Sequence, residues 1–299
     1  MPIHLPAQNR RQFLVVAGAG VVCWSTESLG RDVDDDLVYL LNDTHIGEKQ
    51  PANSAVPSHL RQVVTELVAI SRKPAFVLIN GDLALKDGQA GDYHHFAKIV
   101  DPLREAKLDV HLTLGNHDHR GVFYQVMKQE RPDTPPVTAR HVSIVKTRWA
   151  NFFLLDSLQK TMVTQGTLGV EQRTWLAKAL DANRSKPAVI VTHHNPRLGG
   201  DPNHFPGGLI DSSELWEILA ARSHVKALIH GHIHDRGTSQ HQGIHIINTP
   251  ATSYVADAET STTGWTTARL TAAGVVLTTH TTNPQHEWNG QEKRLTWRS

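Results

Sequence analysis

The chain has 299 residues, 39% hydrophobic and 20% charged, which is apolar material enough for one large α/β core and no composition of a disordered chain. Thirty lysines and arginines against 29 aspartates and glutamates leave no basic surplus, so the charge balance disfavours a nucleic-acid partner. A single cysteine excludes disulfides within the chain and a cysteine-rich zinc site, so any metal must be held by oxygen and by imidazole, of which there are 20.

Residues 1–30 read as an address. Arg10-Arg11-Gln12-Phe13-Leu14 opens an apolar, Gly/Ala-rich stretch over residues 13–24 that suits a signal-peptide core and is short for a membrane span. The paired arginines are similar to a twin-arginine signal, which implies a protein exported from a bacterial cytoplasm to the periplasm, with no transmembrane segment in the mature chain. A basic-flanked helix that stays attached is the alternative. Val22 stands where a lipoprotein with Cys23 would need a small residue, so that reading is set aside.

After Asp34-Asp35-Asp36, taken as a solvated entry, residues 37–41 form a continuous apolar run of buried-strand length. Leu60, Val63, Val64, Leu67 and Val68 recur at helical spacing. A strand over residues 76–79, a helix marked by Tyr93, Phe96, Ala97 and Val100, and a strand over residues 110–114 follow. Further on come a strand at 152–155, a helix carrying Trp175, Leu176 and Leu180, and a strand at 188–191. Asp211 and Glu214 have capping-box spacing before a helix through Leu215, Ile218 and Leu219, and residues 227–229 form the next strand. Trp149, Trp175, Trp216 and Trp265 are most simply packing residues. Beyond Asp235 the pattern is β only, ending in a hairpin over residues 264–279, so a second, partly antiparallel sheet is expected there. Residues 31–285 read as one domain and 286–299 as a polar tail.

The polar residues able to bind metal fall repeatedly at strand ends. Asp43-Thr44-His45, Asn80-Gly81-Asp82, Gly115-Asn116-His117-Asp118, His193-His194-Asn195 and Gly231-His232-Ile233-His234 each follow an apolar strand, the edge where open α/β sheets bind ligands. In extended chain, residues two apart point the same way, which would let Asp43 and His45, or His232 and His234, serve one cation. Gly81, Gly115 and Gly231 permit close backbone approach. Acids, an amide and imidazoles suit manganese, iron or zinc better than calcium.

This series, D-x-H, G-D, G-N-H-D, H and G-H-x-H in order, resembles the calcineurin-like metallophosphoesterases over residues 37–281. Residues 169–180 are similar to a helix of the class III cyclic-nucleotide phosphodiesterase branch. The resemblance implies a metallo-dependent phosphatase fold, a four-layer α/β/β/α sandwich of two mixed sheets flanked by helices. It implies two metal ions, one held by Asp43, His45 and His234, the other by Asn116, His193 and His232, with Asp82 bridging. His193 is preferred to His194 because the family's ligand directly ends its strand. Attack on a small-molecule phosphate ester by hydroxide shared between the metals follows from the likeness, with His117 as general acid. Asp118 is expected to orient that imidazole or a neighbouring loop, and His194, His119 and His204 to lie near substrate or the second layer of contacts. Leu85 occupies the position of the metal-binding tyrosine of purple acid phosphatases, and His45 is a ligand that branch lacks, so that chemistry is disfavoured.

The expected activity is hydrolysis of a phosphodiester, a cyclic nucleotide or a glycerophosphodiester-like compound. The same centre serves monoesters, so a phosphomonoesterase on nucleotides or sugar phosphates stays open, with a non-catalytic binding protein behind it. Residues 47–58, 119–140 and 197–209 leave the metal edge and would set the substrate. No sequence signal bears on oligomeric state.

Overall fold

A computed structural model describes residues 33–51, 53–198, 206–255 and 257–299; the expected export segment and His204 lie outside the described residues. Strand and helix alternate at first: β1 (Val33–Asn42), α1 (Ala55–Ala69), β2 (Lys73–Asn80), α2 (Ala90–Glu105), β3 (Val110–Thr113) and the short α3 (Arg120–Val126). There follow β4 (Ser143–Lys146), β5 (Asn151–Leu154), α4 (Gly169–Ala182), β6 (Ala188–Val191), α5 (Ser212–Ala220) and β7 (Val225–His230). The remainder is β: β8 (Gly237–His241), β9 (Ile244–Asn248), β10 (Gly264–Thr271), β11 (Gly274–Thr281) and β12 (Glu292–Thr296).

Two six-stranded sheets result, ordered β12-β11-β10-β1-β2-β3 and β4-β5-β6-β7-β9-β8. In the first, β1, β2 and β3 are parallel and β10, β11 and β12 add antiparallel. In the second, β5, β6, β7 and β9 are parallel between antiparallel edges. Both sheets are mixed, as the resemblance implies. The division of the chain is not the expected one. The second sheet begins at Ser143 rather than after Asp235, and the 264–281 hairpin returns to pair with β1.

Side-chain alternation explains the layering. Along β1, Val38 and Leu40 enter the core between the sheets, while Leu37, Tyr39 and Leu41 enter the core beneath α1 and α2. Phe76 and Leu78 of β2 face the sheet interface and Val77 and Ile79 the helices. In β6, Val189 and Val191 face inward, whereas Ala188 and Ile190 pack with Leu176, Leu180, Leu215 and Trp216 of α4 and α5. Strands apolar on both faces thus place three cores among four layers.

Three local features differ from the expectation. Residues 286–299 are not a free polar tail: they carry β12, because Trp288, Leu295 and Trp297 interrupt the polar run and are buried. Asp211 stands at the N-terminus of α5 but makes no capping bond to it. Its carboxylate accepts from the Leu168 and Gly169 amides at the start of α4 and pairs with Arg173. Asp34, likewise, is inside β1 and pairs with Arg269 at 2.9 Å instead of lying in a free entry.

Candidate metal centre

The parallel strands of both sheets bring their carboxyl ends to one edge. Asp43 follows β1, Asp82 follows β2 and Asn116 lies beyond β3, while His193 follows β6 and His232 and His234 follow β7. Hydrogen bonds staple the sheets together there. The Asn42 amide donates to Thr249, the Asn80 amide donates to the Thr192 carbonyl at 2.9 Å, and the His232 backbone N–H donates to Asp43 Oδ2 at 3.0 Å.

The donors form two groups in which every ligand atom lies within 4.8 Å of the others: Asp43, His45, Asp82 and His234, and Asp82, His193 and His232. Asp82 is common to both. The Asn116 side-chain oxygen is buried and without a hydrogen-bond partner, as are Asp43 Oδ1 and His193 Nε2. His117 donates its backbone N–H to Asp82 Oδ1 at 2.8 Å.

The extended-chain argument for Asp43 with His45 and for His232 with His234 is corrected by the backbone. All four have φ between +47° and +72°, and Asp82 has φ +49°. These are left-handed turns, sparsely populated by non-glycine residues and a mark of strain at functional sites. The loops are held there by ladder-like bonds, among them Asp43 N–H to Gly81 O and His45 N–H to Asp82 O. Close approach at the glycines is real. A Cβ on Gly115 would lie 2.6 Å from the Asp82 nitrogen, and one on Gly81 would overlap the His193 ring.

The arrangement fits a cation. His193 donates from Nδ1 to the Asn80 carbonyl at 3.0 Å, which leaves Nε2 facing Asp82 Oδ2 at 3.3 Å and Asp43 Oδ1 at 3.9 Å. His45 and His234 bring their Nε2 atoms within 3.1 Å of each other, and Nε2 of His234 is 3.3 Å from Asp43 Oδ1. Lone pairs converging on buried carboxylates repel unless a positive charge lies among them. Burial opposes ionisation of Asp43, yet the neighbouring His234 and His193 hold its carboxyl well below the usual range. Asp82 is likewise depressed against its burial, chiefly by His193. His193, although burial pulls it down, is pushed up to about 10 by Asp82 and Asp43.

The remaining expected residues separate. His117 is half-buried at the rim, 5.0 Å from the His45 ring, and donates Nδ1–H to the Lys86 carbonyl at 2.7 Å. Asp118 does not reach that imidazole. Its buried carboxylate accepts from the Leu83, Ala84 and Gly115 amides and the Tyr93 hydroxyl, and burial raises its pKa to about 6. It therefore shapes the loops that carry Asp82 and Asn116. His194 is buried beside the cluster, with Nδ1 2.7 Å from Ser157 Oγ and its ring 4.6 Å from that of His232. His119 caps α3, its Nδ1 accepting from the Val122 amide at 3.2 Å. Asn42, Ser157 and Tyr254 are not singled out by the sequence, and Asn80 enters there only as part of the strand-end group with Asp82. The shared asparagine ending both β1 and β2 was a readable signal; the Tyr254 ring, 5.4 Å from His45 and 5.1 Å from His234, is brought in only by folding.

A two-sheet α/β sandwich with buried carboxylates and imidazoles gathered at one edge makes a candidate metal centre. Residues 37–236 match the calcineurin-like phosphoesterase family, and the chain belongs to it, which makes it a metal-dependent phosphoric ester hydrolase. In sequence it is similar to the 3',5'-cyclic adenosine monophosphate phosphodiesterase CpdA of Vibrio vulnificus, 27% identical over 80% of this chain and 86% of that protein. CpdA of Escherichia coli K12 is 29% identical over 68% of this chain and 72% of its own length. A solved dimetal phosphatase from Danio rerio shares the fold, with a TM-score of 0.67 at 14% identity over 88% of this chain and 99% of that one.

Proposed function

We propose that the chain hydrolyses a small-molecule phosphodiester, a cyclic nucleotide first among them, with two metal ions sharing Asp82. Asp43, His45 and His234 would hold one ion, and Asn116, His193 and His232 the other. The observation that carries this reading is the shared vertex, since Asp82 belongs to both groups of converging donors. Bound metal would supply Lewis acidity toward phosphoryl oxygen and toward water.

The protein's own part is positional. Asp43 and Asp82 stay ionised and so balance cationic charge in a buried place. The Lys86 carbonyl fixes Nδ1 of His117, so Nε2 is the atom at which that ring takes up or releases a proton, next to the leaving oxygen of a bound ester. The diester preference is supported by the relatives named cyclic AMP phosphodiesterases. The Arg10-Arg11 pair supports an exported, periplasmic enzyme.

Full-length protein supplied with manganese, zinc or iron is expected to bind two metal equivalents and to hydrolyse bis-p-nitrophenyl phosphate faster than p-nitrophenyl phosphate. His117→Ala should lower kcat by about 10²–10⁴-fold with metal content unchanged. Asn116→Ala should lower both turnover and bound metal. Full activity in either variant overturns the assignment, and faster cleavage of the monoester makes the protein a phosphomonoesterase.

A further inference from the structure

Among the described residues, five large hydrophobic side chains are exposed, and three of them are tied to the metal edge. Leu85 is 40% exposed, and its carbonyl lies 3.4 Å from His45 Nδ1. Met162 is 48% exposed, and its backbone N–H donates to the Asn116 carbonyl at 2.8 Å. Tyr254 is 45% exposed, and its ring touches the imidazoles of both His45 and His234. A highly charged centre thus carries apolar surface on its rim. Phosphate recognition has no use for that surface, whereas the organic part of an ester does.

The chain leading into Tyr254 is anchored to the rest of the fold. The Thr252 N–H donates to the Asn42 carbonyl at 2.8 Å, the Thr252 hydroxyl accepts from the Asn42 N–H at 3.1 Å, and His59 Nδ1 lies 3.2 Å from the Ser253 carbonyl. These contacts anchor the two residues before the tyrosine to the end of β1 and to α1. A large aromatic ring with about half its surface in water, packed against two candidate ligands, offers a stacking face with few rotatable bonds to order.

We propose that Tyr254 is the specificity-determining residue of the site, its exposed face stacking on the planar aromatic group of the ester, for which a nucleobase is the fitting chemistry. This rests on the phosphodiesterase reading and names the class of organic group that site selects. Phosphate and metal would be handled by the polar centre, and the base by the ring. Leu85, bonded to His45, and Met162, bonded to Asn116, add exposed apolar surface elsewhere on the rim.

The test compares ester groups with and without an aromatic ring. Tyr254→Ala is expected to raise KM for 3',5'-cyclic AMP about tenfold, the scale of one lost base–aromatic stack, while KM for glycerophosphocholine stays within about twofold. Tyr254→Trp should retain the wild-type KM for cyclic AMP. Calorimetric Kd values for adenosine 5'-monophosphate against ribose 5-phosphate should show the same contrast without turnover. Equal changes for both compounds of a pair, or none, would overturn the role of Tyr254. So would turnover of the alkyl diester by a wild-type protein that neither binds nor cleaves the adenine compounds. Wild-type protein that cleaves neither diester would overturn the phosphodiesterase reading instead, and the product-binding contrast would still decide the question of Tyr254.

Discussion

Gly115 shows how little freedom the centre leaves at single positions. It lies two residues beyond β3, its N–H donates to the Asp118 carboxylate at 2.9 Å, and its Cα faces Asp82 so closely that an added methyl would overlap that side chain and lie 2.7 Å from His193 Cδ2. Neither neighbour can retreat. His193 is anchored through Nδ1 to Asn80, and Asp82 sits in a left-handed turn. Gly115→Ala should therefore spread the shared carboxylate away from both donor groups. Elemental analysis is expected to find less than half the wild-type metal in the variant, with circular dichroism of a folded protein. Two retained equivalents would mean that the turn relaxes and that the tight approach is incidental.

At the scale of elements, Asp211 joins two helices that are distant in sequence. The N-terminal residue of α4 lacks a local cap, as Leu168 offers no side-chain acceptor, and the carboxylate of Asp211 serves instead, with Arg173 of α4 as its ion partner. Asp211→Ala would leave two helix-end amides and a largely buried guanidinium without their acceptor. A loss of about 2–4 kcal/mol in urea unfolding is the expected scale, and Asp211→Asn should recover part of it. A loss below about 0.5 kcal/mol would show that solvent satisfies those groups. The same residue explains where reading elements from sequence succeeds and where it stops. Strand–helix alternation and the strand-end placement of Asp43, Asp82, His193 and His232 follow from hydrophobic period, and both are legible. Capping-box spacing at Asp211 and Glu214 is legible too, but it carries no information about a competing helix end 43 residues earlier in the chain. The left-handed turns at Asp43 and His45 are hidden for a like reason. They are imposed by bonds from β1's loop to that of β2, not by local preference. Ser143–Lys146 and Gly237–His241 are edge strands with no fully buried residue, so their polar faces dilute the period that betrays inner strands.

For the whole molecule, the last few residues close the sandwich. β12 pairs with β11 in the first sheet, and Arg298 then crosses to the second. Its guanidinium donates to the carbonyls of Leu219 and Arg222 at the end of α5, to Val225 at the start of β7 and to Gln242 beyond β8, at 2.6 to 3.2 Å. Lys226 answers by donating to the Arg298 carbonyl. One planar fork thus satisfies the carboxyl end of a helix, the start of a strand and a turn, a geometry that a lysine ammonium cannot reproduce. Val225 is at the opposite end of β7 from His232, so this clamp acts on the sandwich and not on the metal edge. Arg298→Ala should cost about 2–3 kcal/mol of stability, since three of the four carbonyls it leaves, those of Leu219, Arg222 and Val225, are partly buried. Arg298→Lys should recover less than half of that. The slope of urea unfolding should stay unchanged, as should KM and kcat of the folded fraction. A lowered kcat at full stability would show instead that strain at the closed end reaches the donors along β7, and the two sheets would have to be treated as one mechanical unit.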